Sequence, residues 1–157
     1  MKKLLILLAA VVLGSLAQAA DTAKFDQFKA KLTDAITRRD TKSLMDLFCV
    51  KDASQYQIDI SVSSYGAYWD KYVLDKIEVS SVDDPSFNPA FVKNAVNGAT
   101  MNGHKYVPNA PVIGICSVTF KSADGKTSTG IGSAVGTAPD GSICFPMQVR
   151  VSPDAKP

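Results

Sequence analysis

Four sets of residues are of types that do chemistry: three cysteines (Cys49, Cys116, Cys144), one histidine (His104), an aromatic run (Tyr65, Tyr68, Trp69, Tyr72) and three glycines inside TGIGSAVGTA, Thr129 to Ala138. The cysteines match no zinc site, because no CxxC is present and one imidazole cannot complete a tetrahedral set. A nucleophilic thiol needs a histidine or another device that lowers its pKa; buried small hydrophobes, with one bridge among them, fit the spacing better. Asp59, Asp70 and His104 are scattered without a spacing that implies a shared acid–base site. No spacing asks for a cofactor.

The glycines raise the possibility of a phosphate cradle. A dinucleotide fingerprint needs G-x-G-x-x-G between a strand and a helix, so that the pyrophosphate meets the helix N-terminus. Here Gly130, Gly132 and Gly136 have a different spacing and run into Pro139-Asp140-Gly141, a turn. The glycines belong to a strand. Parity puts Gly130, Gly132, Ala134 and Gly136 on one face and Ile131, Ser133 and Val135 on the other.

The elements that position these residues follow from periodicity. Residues 23–39 carry Phe25, Phe28, Leu32 and Ala35/Ile36 at helical spacing, and Asp40 is placed to N-cap a second helix, TKSLMDLFC. YQIDISV alternates like a short strand, and the helical spacing of Val62, Tyr65, Trp69 and Tyr72 predicts a third helix. LDKIEVSSVDD reads as a strand with Ile77 and Val79 as core candidates. Asn88-Pro89 opens a short helix ending near Gly98, and Asn102-Gly103 makes a hairpin turn beside an exposed His104.

Three runs, VIGICSVTF, TSTGIGSAVGT and ICFPMQVRV, are joined by Asp-Gly turns into an antiparallel meander. Pairing Ala123 with Lys126 sets Ile131 opposite Val118 and Ser133 opposite Cys116; a bulge at Gly141 sets Val135 opposite Phe145 and Ser133 opposite Met147. The core face is then Val112, Cys116, Val118, Phe120, Ile131, Val135, Ile143, Phe145, Met147 and Val149. Cys116 and Cys144 fall on opposite faces with a strand between them, beyond the roughly 6 Å Cα separation of a disulfide. A bridge between Cys49 and Cys116 stays open. Ile113, Ile115, Gly130, Gly132 and Ala134 form a smooth face that either permits sheet curvature or accepts a second copy as a homodimer.

The N-terminus, MKKLLILLAAVVLGSLAQA, has two lysines, an apolar run and a small-residue end, the pattern of a cleaved signal peptide over 1–19. The apolar run falls short of the ~20 residues needed to span a bilayer. The expectation is one domain over 20–151 with a frayed tail over 152–157, released to the periplasm or the extracellular space without membrane insertion. Removing residues 1–19 takes two lysines from 17 basic residues and no acid from 15, leaving 15 of each. A neutral chain with no Lys/Arg cluster beyond Arg38-Arg39 excludes nucleic-acid binding by counterion release.

The order of elements, with the charged turn and Leu-Phe ending of RRDTKSLMDLF, resembles the cystatin-like α+β cone of the nuclear transport factor 2-like (NTF2-like) superfamily. HKYVPNAPVIGICSVTF is similar to a Tyr-x-Pro-Asn-x-Pro-Val-x-Gly run of small secreted bacterial proteins. The resemblance implies helices packed on a curved antiparallel sheet that leaves a conical pocket. Members include isomerases and dehydratases with Asp, His or Tyr in the pocket, and non-catalytic binding or dimerising modules. No catalytic residue carries over, which ranks an isomerase or lyase last; the first reading is a secreted binding or interaction module, and a structural envelope protein dimerising through the sheet is an alternative that the sequence does not separate from it. Tyr65, Tyr68, Trp69 and Tyr72 are the candidate platform for a small molecule or glycan, if they do not simply pack the core.

Overall fold

Asp40 shows how local chemistry sets the first boundary. Its carboxylate accepts from the N–H groups of Lys42 and Ser43, both at 3.1 Å, and from the Ser43 hydroxyl at 2.7 Å. These bonds to the ionised form, the Ser43 hydroxyl foremost, hold the Asp40 carboxyl below its ordinary value. α1 (22–37) is left through Arg39 at positive φ, and the Asp40 cap starts α2 (Thr41–Met45). The computed structural model describes residues 22–151; the expected signal peptide (1–19) and tail (152–157) lie outside them.

The architecture is α+β. β1 (Phe48–Cys49), α3 (Gln55–Trp69), β2 (Tyr72–Ser80), α4 (Pro89–Asn97), β3 (Ala99–Met101), β4 (His104–Pro108), β5 (Val112–Ser122), β6 (Ser128–Thr137), β7 (Ile143–Pro146) and β8 (Gln148–Arg150) follow in order. The larger sheet runs β1-β7-β6-β5-β2 and the smaller β3-β4-β8. All pairs are antiparallel except β1 with β7. No helix among the described residues is long and apolar enough to cross a membrane.

Three expectations are corrected. The second helix stops at Met45, and Phe48–Cys49 is a strand because it pairs with Phe145 and Pro146, Phe145 N–H donating to Leu47 O at 2.8 Å. YQIDISV is not a strand but the first half of α3, opened by a capping box between Ser54 and Gln57. Burial confirms the helical period: Ile58 is 8 % exposed and Ile60, two residues on, 48 %. Tyr72 accordingly belongs to β2, not to the third helix.

The meander has the expected register between β5 and β6, with Val118 opposite Ile131 and Cys116 opposite Ser133. Gly136 opposite Cys144 and Thr137 opposite Ile143 continue it into β7. There the expectation stops, because β7 ends at Pro146 and the chain crosses to the smaller sheet, where Gln148 pairs with Pro108. Two bulges adjust the faces. One, between Leu74 and Lys76, brings Leu74 onto the core face with Ile77 and Val79, opposite Phe120, Val118 and Cys116. The other, between Val112 and Gly114, turns Ile113 toward α1, where it lines a hollow with Phe25 and Lys29.

The core lies between α1, α2, α3 and the larger sheet, with Leu32, Leu44, Val118 and Val135 at 0–1 % exposure. Phe145 is its aromatic centre, with Phe28 edge-on at 5.0 Å and Phe48 tilted at 5.1 Å. Cys49 is bridged to Cys144, and Cys116 is a buried free thiol. The absence of a 116–144 bridge agrees with the register. The open alternative, Cys49 with Cys116, is not realised, because parallel pairing of β1 with β7 brings Cys49 beside Cys144.

Candidate functional site

Among the described residues, the short β7 leaves one edge of β6 open. Every residue from Val135 back to Ser128 that pairs does so with β5 alone, and β7 pairs only at Gly136 and Thr137. In an antiparallel ladder, main-chain groups point alternately to the two sides. Ser122 N–H donates to Thr127 O, so the odd-numbered residues of β6 face β5. Ala138 N–H donates to Ser142 O, so the even-numbered residues face the β7 side. Where β7 is missing, the N–H and C=O of Ser128, Gly130, Gly132 and Ala134 point to the open edge.

Alongside that edge lies a groove of about 420 Å³. Ser61, Ser64 and Tyr65 of α3 form one wall; Phe91, Asn94 and Ala95 of α4, with Ala99 and Met101 of β3, form the other. Ile131–Ala134 is the floor, and Phe48, Phe145, Pro146 and Gln148 close one end. The helices reach the two faces by parity: Tyr65 shares a hydrogen bond with the Ser133 hydroxyl at 3.2 Å, and a Cβ on Gly132 would stand 3.7 Å from Phe91 Cζ. Gly136 answers why tiny residues line this strand, since a Cβ there would lie 2.5 Å from Pro111 O and 2.6 Å from Pro146 Cγ.

No lining residue is charged. The polar groups are the Ser61 and Ser64 hydroxyls, Asn94, the Tyr65–Ser133 pair and Gln148. The Gln148 amide donates to Asn94 O and Ala95 O at 3.4 and 3.5 Å, while its Oε1 is buried without a hydrogen-bond partner among the described residues. Burial pushes the Tyr65 phenol far above its ordinary range, so Tyr65 can give or accept a hydrogen bond but supplies no base.

Of the aromatic platform, only Tyr65 reaches the groove. Tyr68 stacks on Phe120 at 5.1 Å and 7° and meets Tyr72 at 5.9 Å. Trp69 and Tyr72 share a separate hollow of about 220 Å³ with Arg39 and Val73. The residues expected as a dimer face do not share one surface: Ile115 is fully buried, Ile113 is 40 % exposed on the α1 side of its bulge, and Gly132 lies beside Phe91. Gly130 and Gly132 remain exposed and Ala134 half-buried. Asp59, Asp70 and His104 are exposed at separate places, and no group of His, Cys, Asp or Glu among the described residues is placed to hold a metal ion. Phe91, Met101 and Ser64 were not legible as site residues; Pro146, a proline inside the third strand of the expected meander, was the one signal that this strand stops short. Comparisons with protein-family models, curated proteins and solved structures return no match to this chain.

Burial also pushes the Cys116 thiol up to about 12. Cys116 and Tyr65 both keep their protons in the fold, whereas the unfolded chain loses them near the ordinary values of 9.0 and 10.0. Stability is therefore full below about pH 9 and falls above it, by on the order of 1 kcal/mol per pH unit for each group, until the thiol ionises in place. Denaturant midpoints measured from about pH 8 to about pH 11 are expected to fall, and less steeply in Cys116→Ala. A flat profile contradicts the assignment.

Proposed function

We propose that this chain is a secreted, non-enzymatic binding module built on an NTF2-like α+β frame, with the groove beside β6 as its binding site. One observation carries the reading: a neutral, mostly apolar groove within the ~300–1,000 Å³ range of ligand sites, furnished with hydroxyls and amides but no carboxylate or imidazole. Such a lining desolvates and orients a ligand; it offers no acid or base to transform one. The signal-like N-terminus supports delivery to the periplasm or beyond, where the Cys49–Cys144 bridge would persist.

Native mass spectrometry of the mature protein from a periplasmic extract, alone and with the Ser64→Trp variant, tests the reading. Ser64 is exposed on α3 and lines the groove, so an indole there fills the site without entering the core. A monomer with a retained extra mass that Ser64→Trp loses is expected. A mass that survives Ser64→Trp puts binding elsewhere and overturns the reading. The chain's single tryptophan, Trp69, does not line the groove, so its fluorescence is a poor reporter for this site.

A further inference from the structure

An edge strand whose main-chain groups are unpaired is a template for another strand, and proteins commonly blunt such edges with lysine, proline or a covering loop. The segment Ser128–Val135, STGIGSAV, carries no charge and no proline. Its even-numbered residues, Ser128, Gly130, Gly132 and Ala134, present their N–H and C=O groups outward, and from Ile131 to Ala134 they do so along the floor of a groove.

Resting on the binding reading above, we propose that the groove's occupant is an extended, uncharged polypeptide segment of another protein, bound by adding a strand to the open edge of β6. Three features select this occupant. A row of alternating main-chain donors and acceptors is matched by another extended backbone. A lining without charge favours a neutral segment, since a charged side chain would lose hydration with no partner to replace it. The edge lies between α3 and the α4–β3 wall. Added strands must approach to about 4.8 Å, which two copies cannot do along the walled stretch Ile131–Ala134, whereas a free segment can enter the slot there. Side chains on one face of the added strand meet Phe91 and Met101; those on the other meet Ser61 and Ser64 of α3.

The probe is a displayed library of random heptapeptides selected against the mature protein, followed by synthetic, terminally capped versions of the enriched sequences. Expected are uncharged sequences with alternating apolar residues. N-methylating one set of alternate peptide amides should weaken binding at least about tenfold, with little effect from methylating the other set, because only one set faces β6. Gly132→Pro should weaken it similarly: the Gly132 N–H makes no bond to β5, a Cβ there meets only ordinary contact with Phe91, and a proline on an edge leaves the rest of the ladder intact. Ser64→Trp should also abolish binding. Failure to enrich any peptide overturns the strand proposal. Peptides that bind regardless of N-methylation and Gly132→Pro, yet are lost in Ser64→Trp, also overturn it while leaving the groove as the binding site. Peptides indifferent to all three place binding off the groove, and both readings fall.

Discussion

Removing the disulfide, as Cys49→Ala/Cys144→Ala, is expected to lower folding stability by roughly 4–5 kcal/mol. The bridge closes a sequence separation of 95 residues, so the cross-link strips a large loop-closure entropy from the unfolded chain. The folded state also depends on it locally. β1 is two residues long, paired only to β7, and carries Phe48 against both Phe145 and Tyr65. Without the bridge, a two-residue strand at a sheet edge must hold its place by two residue pairs, one ring cluster and the Asn109 amide on Cys49 O. Guanidinium denaturation should show the wild-type protein under reducing conditions coinciding with the double variant, each well below the oxidised wild type. A difference under about 1 kcal/mol between oxidised and bridge-free forms would contradict this assignment of stability.

Asn109→Ala is expected to cost about 2–4 kcal/mol, because one side chain satisfies three main-chain groups in two distant segments. Its amide donates to Cys49 O and Lys51 O, each at 2.5 Å, and its Oδ1 accepts from Met147 N–H at 2.8 Å. Its own N–H donates to Met147 O at 3.0 Å. Asn109 thus fastens β1 and the point where the chain leaves β7 for β8, the same departure that opens the β6 edge. Asn109→Asp should be at least as harmful, since a carboxylate keeps the acceptor but sets negative charge against two carbonyls and loses both donors. The cost should shrink in the bridge-free background, because both devices hold β1 and coupled sites are not additive. Thermal melts of the single, double and triple variants measure this; equal costs in both backgrounds would dissociate Asn109 from β1.

Asn109 also shows where sequence reading reaches and where it stops. YVPNAPVIG stands out as a pattern, yet its physical basis is three contacts to residues 38–60 positions away, which no local rule supplies. Signals confined to a few residues were legible. Asp40 and Asn88 cap the helices expected of them, Asn102 and Gly103 turn at positive φ, and the Asp124-Gly125 turn fixes the β5–β6 register. The segment 56–62 misled because Ile58, Ile60 and Val62 alternate over a stretch too short to separate the two periods; the capping box at Ser54 and Gln57 was the deciding signal. Bulges at Asp75 and Ile113 break strand parity, which is why Leu74 joins the core face and Ile113 leaves the glycine face. The groove was least legible. Its walls come from α3, α4 and β3, and their meeting over β6 depends on packing and on the exit at Pro146.

Amide hydrogen exchange along β6 in the mature protein, free and then saturated with a selected peptide, tests the central claim most directly. With the edge open, the amides of Ser128, Gly130, Gly132 and Ala134 exchange fast while those of Thr129, Ile131 and Ser133 are protected by β5, and the peptide slows Gly132 and Ala134. Equal protection of both sets in the free protein, at every concentration down to the monomer, would mean that the edge is already paired and that no groove for an added strand exists.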